Sequence, residues 1–130
     1  MNEYIFRKYD IRGVVETDFT PDVVVKLGHA FGTYVVRNGG SIVAVSGDIR
    51  PSTRDLMKNL ILGLTNSGAT VLNLGILPTP VNYYSMFKLD VDGAIQITGS
   101  HNPPEFNGFK ISLNESSFHS EKIQDLKVLI

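Results

Sequence analysis

The fold class is decided by residues 41–75, which read SIVAVSGDIRPSTRDLMKNLILGLTNSGATVLNLG. The stretch begins with a short apolar run of mostly β-branched residues, which is typical of a buried strand. Apolar side chains then recur at helical spacing between residues 53 and 66, and a second apolar run begins at Thr70. A strand, a helix and a strand in this order predict a βαβ unit with parallel strands.

The same alternation continues on both sides of this unit. Upstream, Thr20 and Pro21 predict a helix start, with a hydroxyl N-cap and a proline at the first helical position. Downstream, the segment Pro78-Thr79-Pro80 is predicted to open a helix. The apolar patterns then predict a third strand over residues 93–98 and a fourth over residues 108–113. A final helix is expected from Ser120 onward.

The connection between the third and fourth strands is too short for a helical crossover, so the fourth strand is predicted to be antiparallel and to lie at an edge. The sequence therefore predicts a three-layer α/β/α domain. Its sheet is expected to be a mixed, four-stranded one, mostly parallel with an antiparallel edge strand.

Composition narrows the functional classes. The chain has 130 residues, 42% hydrophobic and 19% charged, with a net charge of −1, which fits one globular domain without a nucleic-acid patch or a polybasic membrane anchor. It has no cysteine, which excludes disulfides, thiol catalysis and cysteine-based zinc sites. Neither a signal-peptide profile nor an apolar run of about 20 residues is present, so a cytoplasmic protein with no membrane or nucleic-acid partner is expected.

One polar loop, from Gly99 to Asn107, follows the third strand, where ligand sites of such sheets lie. Gly99 permits a sharp turn, and Ser100 then carries a hydroxyl at the tip. His101 follows directly, and Lys110 lies on the next strand. A hydroxyl held rigidly among cations suits phosphoryl transfer. The alternative is an ordinary turn with a capping serine.

A second polar stretch, FRKYDIRG, occupies residues 6–13. It places three cations and Tyr9 within a few residues, and the guanidinium of Arg12 could bind a phosphate through two parallel hydrogen bonds. The alternative is a solvated basic segment, which the spacing alone favours.

Taken together, these segments resemble one enzyme family. FRKYDIRG at 6–13 resembles the opening of the phosphomannomutase/phosphoglucomutase group of α-D-phosphohexomutases. TGSHNP at 98–103 resembles the phosphoserine loop of that family, and NGFK at 107–110 matches the segment that follows the loop. The resemblance covers nearly the whole chain as the family's first domain.

The resemblance implies a role for each site residue. Ser100, as phosphoserine, would donate its phosphoryl group to a hexose monophosphate, and the resulting hexose 1,6-bisphosphate would reorient and return its other phosphate. Arg12, His101 and Lys110 would surround the transferring group, with Lys110 or Arg12 assisting proton transfer. Tyr9 would line the same mouth. An oxygen of phosphorylated Ser100 would complete the coordination of Mg²⁺.

The loop SGDIR at residues 46–50 resembles the Gly-Arg-Asp-x-Arg loop of the family. Gly47 stands where some members have arginine, whereas Asp48 and Arg50 are retained and are expected to organise the loop structurally. The YDIR form of residues 9–12 favours a mannose or glucose phosphate over glucosamine phosphate as the substrate.

The chain departs from the family in length. Full members have four domains, and the second, third and fourth carry a metal loop, a sugar-specificity loop and a phosphate-binding loop, none of which occurs in the 130 residues. The resemblance therefore implies that residues 1–130 are domain I, which meets the remaining domains of the same polypeptide. Carboxylates of an absent domain would complete the Mg²⁺ site. The isolated domain is expected to fold without mutase turnover.

Two other functions stay open from the residues alone. One is a free-standing, non-catalytic module that binds a phosphosugar through Arg12, His101 and Lys110. The other is a single-domain phosphatase with Ser100 as its nucleophile, although no carboxylate metal site accompanies it in the sequence.

Overall fold

The computed structural model describes residues 1–130, which form six strands and five α-helices after a short 3-10 helix at Glu3–Ile5. The strands are β1 (Ile11–Val14), β2 (Ile42–Gly47), β3 (Thr70–Ile76), β4 (Gly93–Ile97), β5 (Phe106–Leu113) and β6 (Ser116–Ser117). The helices are α1 (Val15–Asp18), α2 (Pro21–Arg37), α3 (Thr53–Asn66), α4 (Thr79–Lys88) and α5 (Glu121–Leu129).

All six strands belong to one mixed sheet, in the order β1-β5-β4-β2-β3, with β6 also paired to β5. β2 is parallel to both β3 and β4, whereas β5 is antiparallel to β4, β1 and β6. β5 therefore runs against the other five strands, which confirms the predicted mostly parallel sheet with one antiparallel strand.

Two details of the predicted sheet were wrong. The sheet has six strands rather than four, and β5 does not lie at the edge, because β1 pairs along its outer side with Ile11 opposite Phe109. β1 escaped detection because it has only four residues, and Arg12 and Gly13 interrupt its apolar pattern. Its pairing with β5 places the N-terminal basic segment beside the fourth predicted strand.

Helices cover both faces of the sheet, as predicted. α2, α3 and α5 pack on one face, where Val43 and Val45 of β2 join the main core. α4 packs on the other face, where Met86 contacts Ala44 and Ala94. Because β2, β3 and β4 run in the same direction, the loops that follow their carboxyl ends lie at one edge of this three-layer structure.

The helix starts lie where the sequence placed them, but the expected cap does not form. α2 begins at Pro21, although the Thr20 side chain makes no capping hydrogen bond. At the start of α3, the Ser52 hydroxyl instead accepts a hydrogen bond from the side chain of Asn107, at 2.9 Å. That contact ties α3 to the beginning of β5. None of the helices combines the length and apolar character that a membrane crossing requires.

Candidate active site

The connection between β4 and β5, residues 98–105, carries the predicted nucleophile and is called the Ser100 loop below. Ser100 is exposed, and its backbone lies in the left-handed region at φ 52°. That conformation costs a residue with a side chain about 1–2 kcal/mol. The Ser100 amide donates to the Thr98 hydroxyl at 3.0 Å, and the Asn102 side chain donates to the Gly99 carbonyl at 2.9 Å. Local hydrogen bonds thus stabilise the turn that presents the serine.

Asp48, which follows β2, anchors the start of the Ser100 loop. Its carboxylate accepts the backbone amide of Gly99 at 3.1 Å, the backbone amide of Arg50 at 3.1 Å and the Thr53 hydroxyl at 2.6 Å. Burial raises the pKa of Asp48, but these hydrogen bonds outweigh burial and hold the pKa below its ordinary value. Asp48 is therefore an ionised acceptor at neutral pH.

Arg50 spans the inner side of the same loop. Its guanidinium donates to the carbonyls of Pro103 at 2.6 Å, Asn102 at 2.6 Å and Phe106 at 2.9 Å. It also reaches the Ser100 carbonyl at 3.4 Å. Its donors point at backbone carbonyls, so Arg50 organises the loop, as the sequence predicted.

Asp10 brings two predicted cations together. Arg12 pairs with Gly108 in the sheet, and strand alternation places Lys110 on the same face of β5. The Asp10 carboxylate, which is nearly buried, accepts a hydrogen bond from Arg12 at 2.5 Å and lies 3.9 Å from the Lys110 ammonium. Burial, and then the Asp10 charge, raise the pKa of Tyr83 in α4.

A cleft of about 360 Å³ joins the N-terminal segment to the Ser100 loop. Its lining comprises Arg7, Lys8, Tyr9, Asp10, Arg12, Asn102 and Phe106. Tyr9 is 64% exposed, and the Lys8 ammonium lies 5.3 Å from the centroid of its ring. The fold therefore collects several cations and an aromatic ring beside one side of the loop.

The other predicted residues border this cleft without lining it. Ser100 and His101 are exposed in the loop, and Lys110 is half-buried, with its ammonium 3.9 Å from the Asp10 carboxylate. A larger groove of about 590 Å³ lies between α3 and β3, but it contains none of the predicted site residues. The cationic cleft, and not the larger groove between α3 and β3, is therefore the candidate site.

Sequence reasoning missed two neighbours of this cleft. Asp10 was read only as part of a basic segment, and His119 was not assigned a role, although its ring lies 6.4 Å from that of Tyr9. The approach of Asp10 to Lys110 depends on the pairing of β1 with β5. The approach of His119 to Tyr9 joins distant parts of the chain. The one available signal was the acidic residue between the cations of the segment at residues 6–13.

The carboxylates of this chain do not by themselves fit a magnesium site. No cluster of three or more histidine, aspartate or glutamate side chains is arranged to hold a metal ion. Near the loop, Asp48 is occupied by hydrogen-bond donors and Asp10 by two cations. Exposed Ser100 is the one predicted metal ligand that the chain offers.

The chain is similar to known proteins over almost its whole length. Residues 3–127 match the family model described as phosphoglucomutase/phosphomannomutase, alpha/beta/alpha domain I. A Pseudomonas aeruginosa protein named phosphomannomutase/phosphoglucomutase is 43% identical over 123 residues, which is 95% of this chain and 27% of that protein. A Pyrococcus abyssi protein named probable phosphoglucosamine mutase is 40% identical over 131 residues, which is 100% of this chain and 28% of that protein.

A solved structure of a phosphoglucomutase/phosphomannomutase family protein from Burkholderia thailandensis superposes with a TM-score of 0.94 at 39% identity. The match covers 98% of this chain and 30% of that one, so the chain spans less than a third of the length of the relatives it matches. The match to the family model, the sequence identity and the superposition agree, and the chain belongs to the phosphoglucomutase/phosphomannomutase family as its α/β/α domain I.

Proposed function

We propose that this domain supplies the phosphoserine of a phosphohexomutase, which interconverts the 1-phosphate and 6-phosphate of a hexose. The observation that carries the proposal is the exposed, left-handed Ser100 at a loop tip beside a cleft lined with cations. A nucleophile fixed by its backbone and flanked by positive charge is what phosphoryl transfer requires, since catalysis there is mostly positioning and charge stabilisation.

In the first step, the bond between phosphorus and the Ser100 oxygen breaks as a hydroxyl of the hexose monophosphate forms a new bond to phosphorus. The proton of that hydroxyl is passed to the Ser100 oxygen. The products are free serine and a hexose 1,6-bisphosphate. After the bisphosphate reorients, its other phosphoryl group returns to Ser100 by the reverse reaction, and the isomeric monophosphate leaves.

Arg12 and Lys110 are the proposed cations for this transfer. Asp10 holds both on the same face of the sheet, and each retains about a third of its side-chain surface exposed. A phosphoserine carries about −1.5 to −2 charge, which such cations neutralise as the group departs. Lys110 or Arg12 assists proton transfer at the bridging oxygen, His101 lies next to Ser100 in the loop, and Tyr9 lines the mouth.

The remaining parts of the site belong to the rest of the full-length protein. We infer that three further domains complete the site, and that carboxylates of one of them would hold Mg²⁺ together with phosphorylated Ser100. The preferred sugars are mannose or glucose phosphates, as the YDIR segment suggests. The isolated domain folds but does not turn over, because those groups are missing from it. A cytoplasmic location stays a prediction.

The test is phosphate labelling of the full-length protein. Hexose 1,6-bisphosphate labelled in both phosphates should transfer one label to Ser100, located by peptide mass spectrometry, and added hexose monophosphate should remove it. Ser100→Ala should abolish both labelling and mutase turnover, whereas Ser117→Ala, an exposed serine of β6, should retain both. Label on another residue, or turnover by Ser100→Ala, would overturn the proposal.

The same experiment separates the alternatives. A stand-alone binding module would bind hexose phosphate through Arg12, His101 and Lys110 without acquiring label. A phosphatase would release inorganic phosphate from the bisphosphate instead of forming the isomeric monophosphate.

A further inference from the structure

The Arg50 guanidinium donates its hydrogen bonds to backbone carbonyls on the inner side of the Ser100 loop, so these donors are not free to bind a substrate. The carbonyls of Asn102 and Pro103 in the loop and of Phe106 at the start of β5 lie within 2.9 Å of its terminal nitrogens. The Arg50 side chain is only 17% exposed. A guanidinium presents its donors in a rigid planar fork, so it can bind several carbonyls at once in fixed relative positions. Lysine has the same charge but cannot reproduce that arrangement.

Asp48 fixes the guanidinium from the other side. Its carboxylate lies 3.5 Å from the Arg50 Nε, and the same oxygen accepts the Gly99 amide at 3.1 Å. Its second oxygen accepts the Thr53 hydroxyl, which also receives a hydrogen bond from the buried Asn107 side chain at 3.2 Å. The ends of β2 and β4 and the start of α3 and β5 therefore meet at one ion pair.

Gly99 leaves the space that Arg50 occupies. A Cβ at position 99 would overlap the Cζ and Nε atoms of the Arg50 guanidinium. The next residue, Ser100, has the left-handed backbone that residues with side chains rarely adopt. Such a conformation persists only where the surrounding structure over-determines it. Here the surroundings are Asp48 on the Gly99 amide and Arg50 on the loop carbonyls.

We propose that Arg50, oriented by Asp48, is a positioning residue that holds Ser100 in the left-handed conformation from which its phosphoryl group is transferred. This inference rests on the proposed function. Arg50 acts on the rate of transfer and not on substrate affinity, because its donors are taken up by the loop. A misplacement of about 1 Å at a reacting group can lower a rate about 10²-fold.

The test compares kinetics of the full-length protein with Arg50→Lys and Arg50→Ala. Both variants should lower kcat about 10²-fold while KM for hexose monophosphate stays within about twofold. Arg54→Ala, an exposed arginine one turn further along, should leave both constants unchanged. Thermal unfolding of each variant reports whether the fold is retained, and if Arg50→Ala does not fold, Arg50→Lys decides.

A second variant approaches the same contact from the opposite side. Gly99→Ala should lower kcat at least tenfold, because the new methyl group displaces the guanidinium. In the Arg50→Ala background, the same Gly99→Ala change should lower kcat less than twofold, because the overlap no longer exists. Additive losses in the two backgrounds would overturn the inference.

The remaining outcomes separate this inference from the proposed function. If the wild-type protein acquires no phosphate on Ser100, the proposed function fails and the inference fails with it. If the wild type is labelled and turns over but Arg50→Lys keeps the wild-type kcat, the inference alone is overturned. A raised KM with unchanged kcat would also overturn it, since Arg50 would then be a substrate-binding residue.

Discussion

The Asp10 carboxylate accepts a hydrogen bond from the Arg12 guanidinium at 2.5 Å, two residues further along the chain. Only 8% of the Asp10 side chain is exposed, compared with 36% for Arg12. The acidic group is therefore buried beneath the cation that it orients. It also lies 3.9 Å from the Lys110 ammonium, so one negative charge holds two positive charges close together at the cleft.

Asp10→Asn should therefore impair the full-length protein through Arg12 and Lys110. With the negative charge removed, the two cations repel each other, and Arg12 loses a charge-assisted hydrogen bond. We expect kcat/KM for hexose monophosphate to fall about tenfold, corresponding to about 1.4 kcal/mol. Steady-state kinetics would measure this. Asp22→Asn removes an exposed surface ion pair with Lys26 and should change nothing, whereas equal losses in both variants would contradict the role of Asp10.

Asp48 should make the stability of the chain depend on acid pH. Because its pKa in the folded state is below the ordinary value of 3.8, the unfolded state binds this proton more readily. The stabilisation is fully present above the ordinary pKa and is lost as pH falls through the lowered, folded-state value. Asp48→Asn should cost about 1–3 kcal/mol at neutral pH, because Asn cannot serve all the donors.

Urea denaturation at a series of pH values between about 6 and 2 would check this prediction. The difference in unfolding free energy between the wild type and Asp48→Asn should shrink as the solution becomes more acidic. The carboxylates of Glu3 and Asp92, which also have lowered pKa values, are common to both proteins and cancel in the difference. A difference independent of pH would show that the Asp48 charge is not what stabilises the loop.

At position 100, glycine should give a more stable protein than alanine, although neither variant should be active. At φ 52° a Cβ is unfavourable, so Ser100→Gly should be about 1 kcal/mol more stable than Ser100→Ala. Both variants lack the hydroxyl and should be inactive. At Ser117, in strand β6, the order should reverse, because glycine weakens an extended segment relative to alanine. Chemical denaturation of the four variants measures both differences, and the same order at both positions would contradict strain at Ser100.

Helix α4 should respond very differently to alanine at two adjacent positions. Met86 is 4% exposed and packs against the small core with Ala44 and Ala94, whereas Phe87 is 64% exposed. Met86→Ala should cost this chain about 2–4 kcal/mol, and Phe87→Ala less than about 1 kcal/mol. Unfolding of residues 1–130 in urea would measure both. A larger cost at Phe87 would mean that the helix presents its other face to the sheet.

Local patterns determined the regular elements of this fold. Runs of β-branched residues located β2, β3 and β4, and helical spacing located α2 and α3, because burial on one face leaves a period that can be read in the sequence. The short link after β4 also predicted correctly that β5 is antiparallel. The segments at residues 6–13 and 98–103 identified the family, because their residue types are specific as well as their spacing.

The tertiary structure alone decided how these segments meet. β1 carries no apolar run, so its place beside β5, and with it the position of Arg12 next to Lys110, came only from the sheet pairing. The contact of Asp10 with Lys110 and those of Arg50 with the Ser100 loop join residues 50 or more positions apart. The sequence by itself determined which chemical groups are present and where most of the strands and helices form. Their relative orientation depends on long-range hydrogen bonds, ion pairs and packing, which leave no periodic signal in the chain.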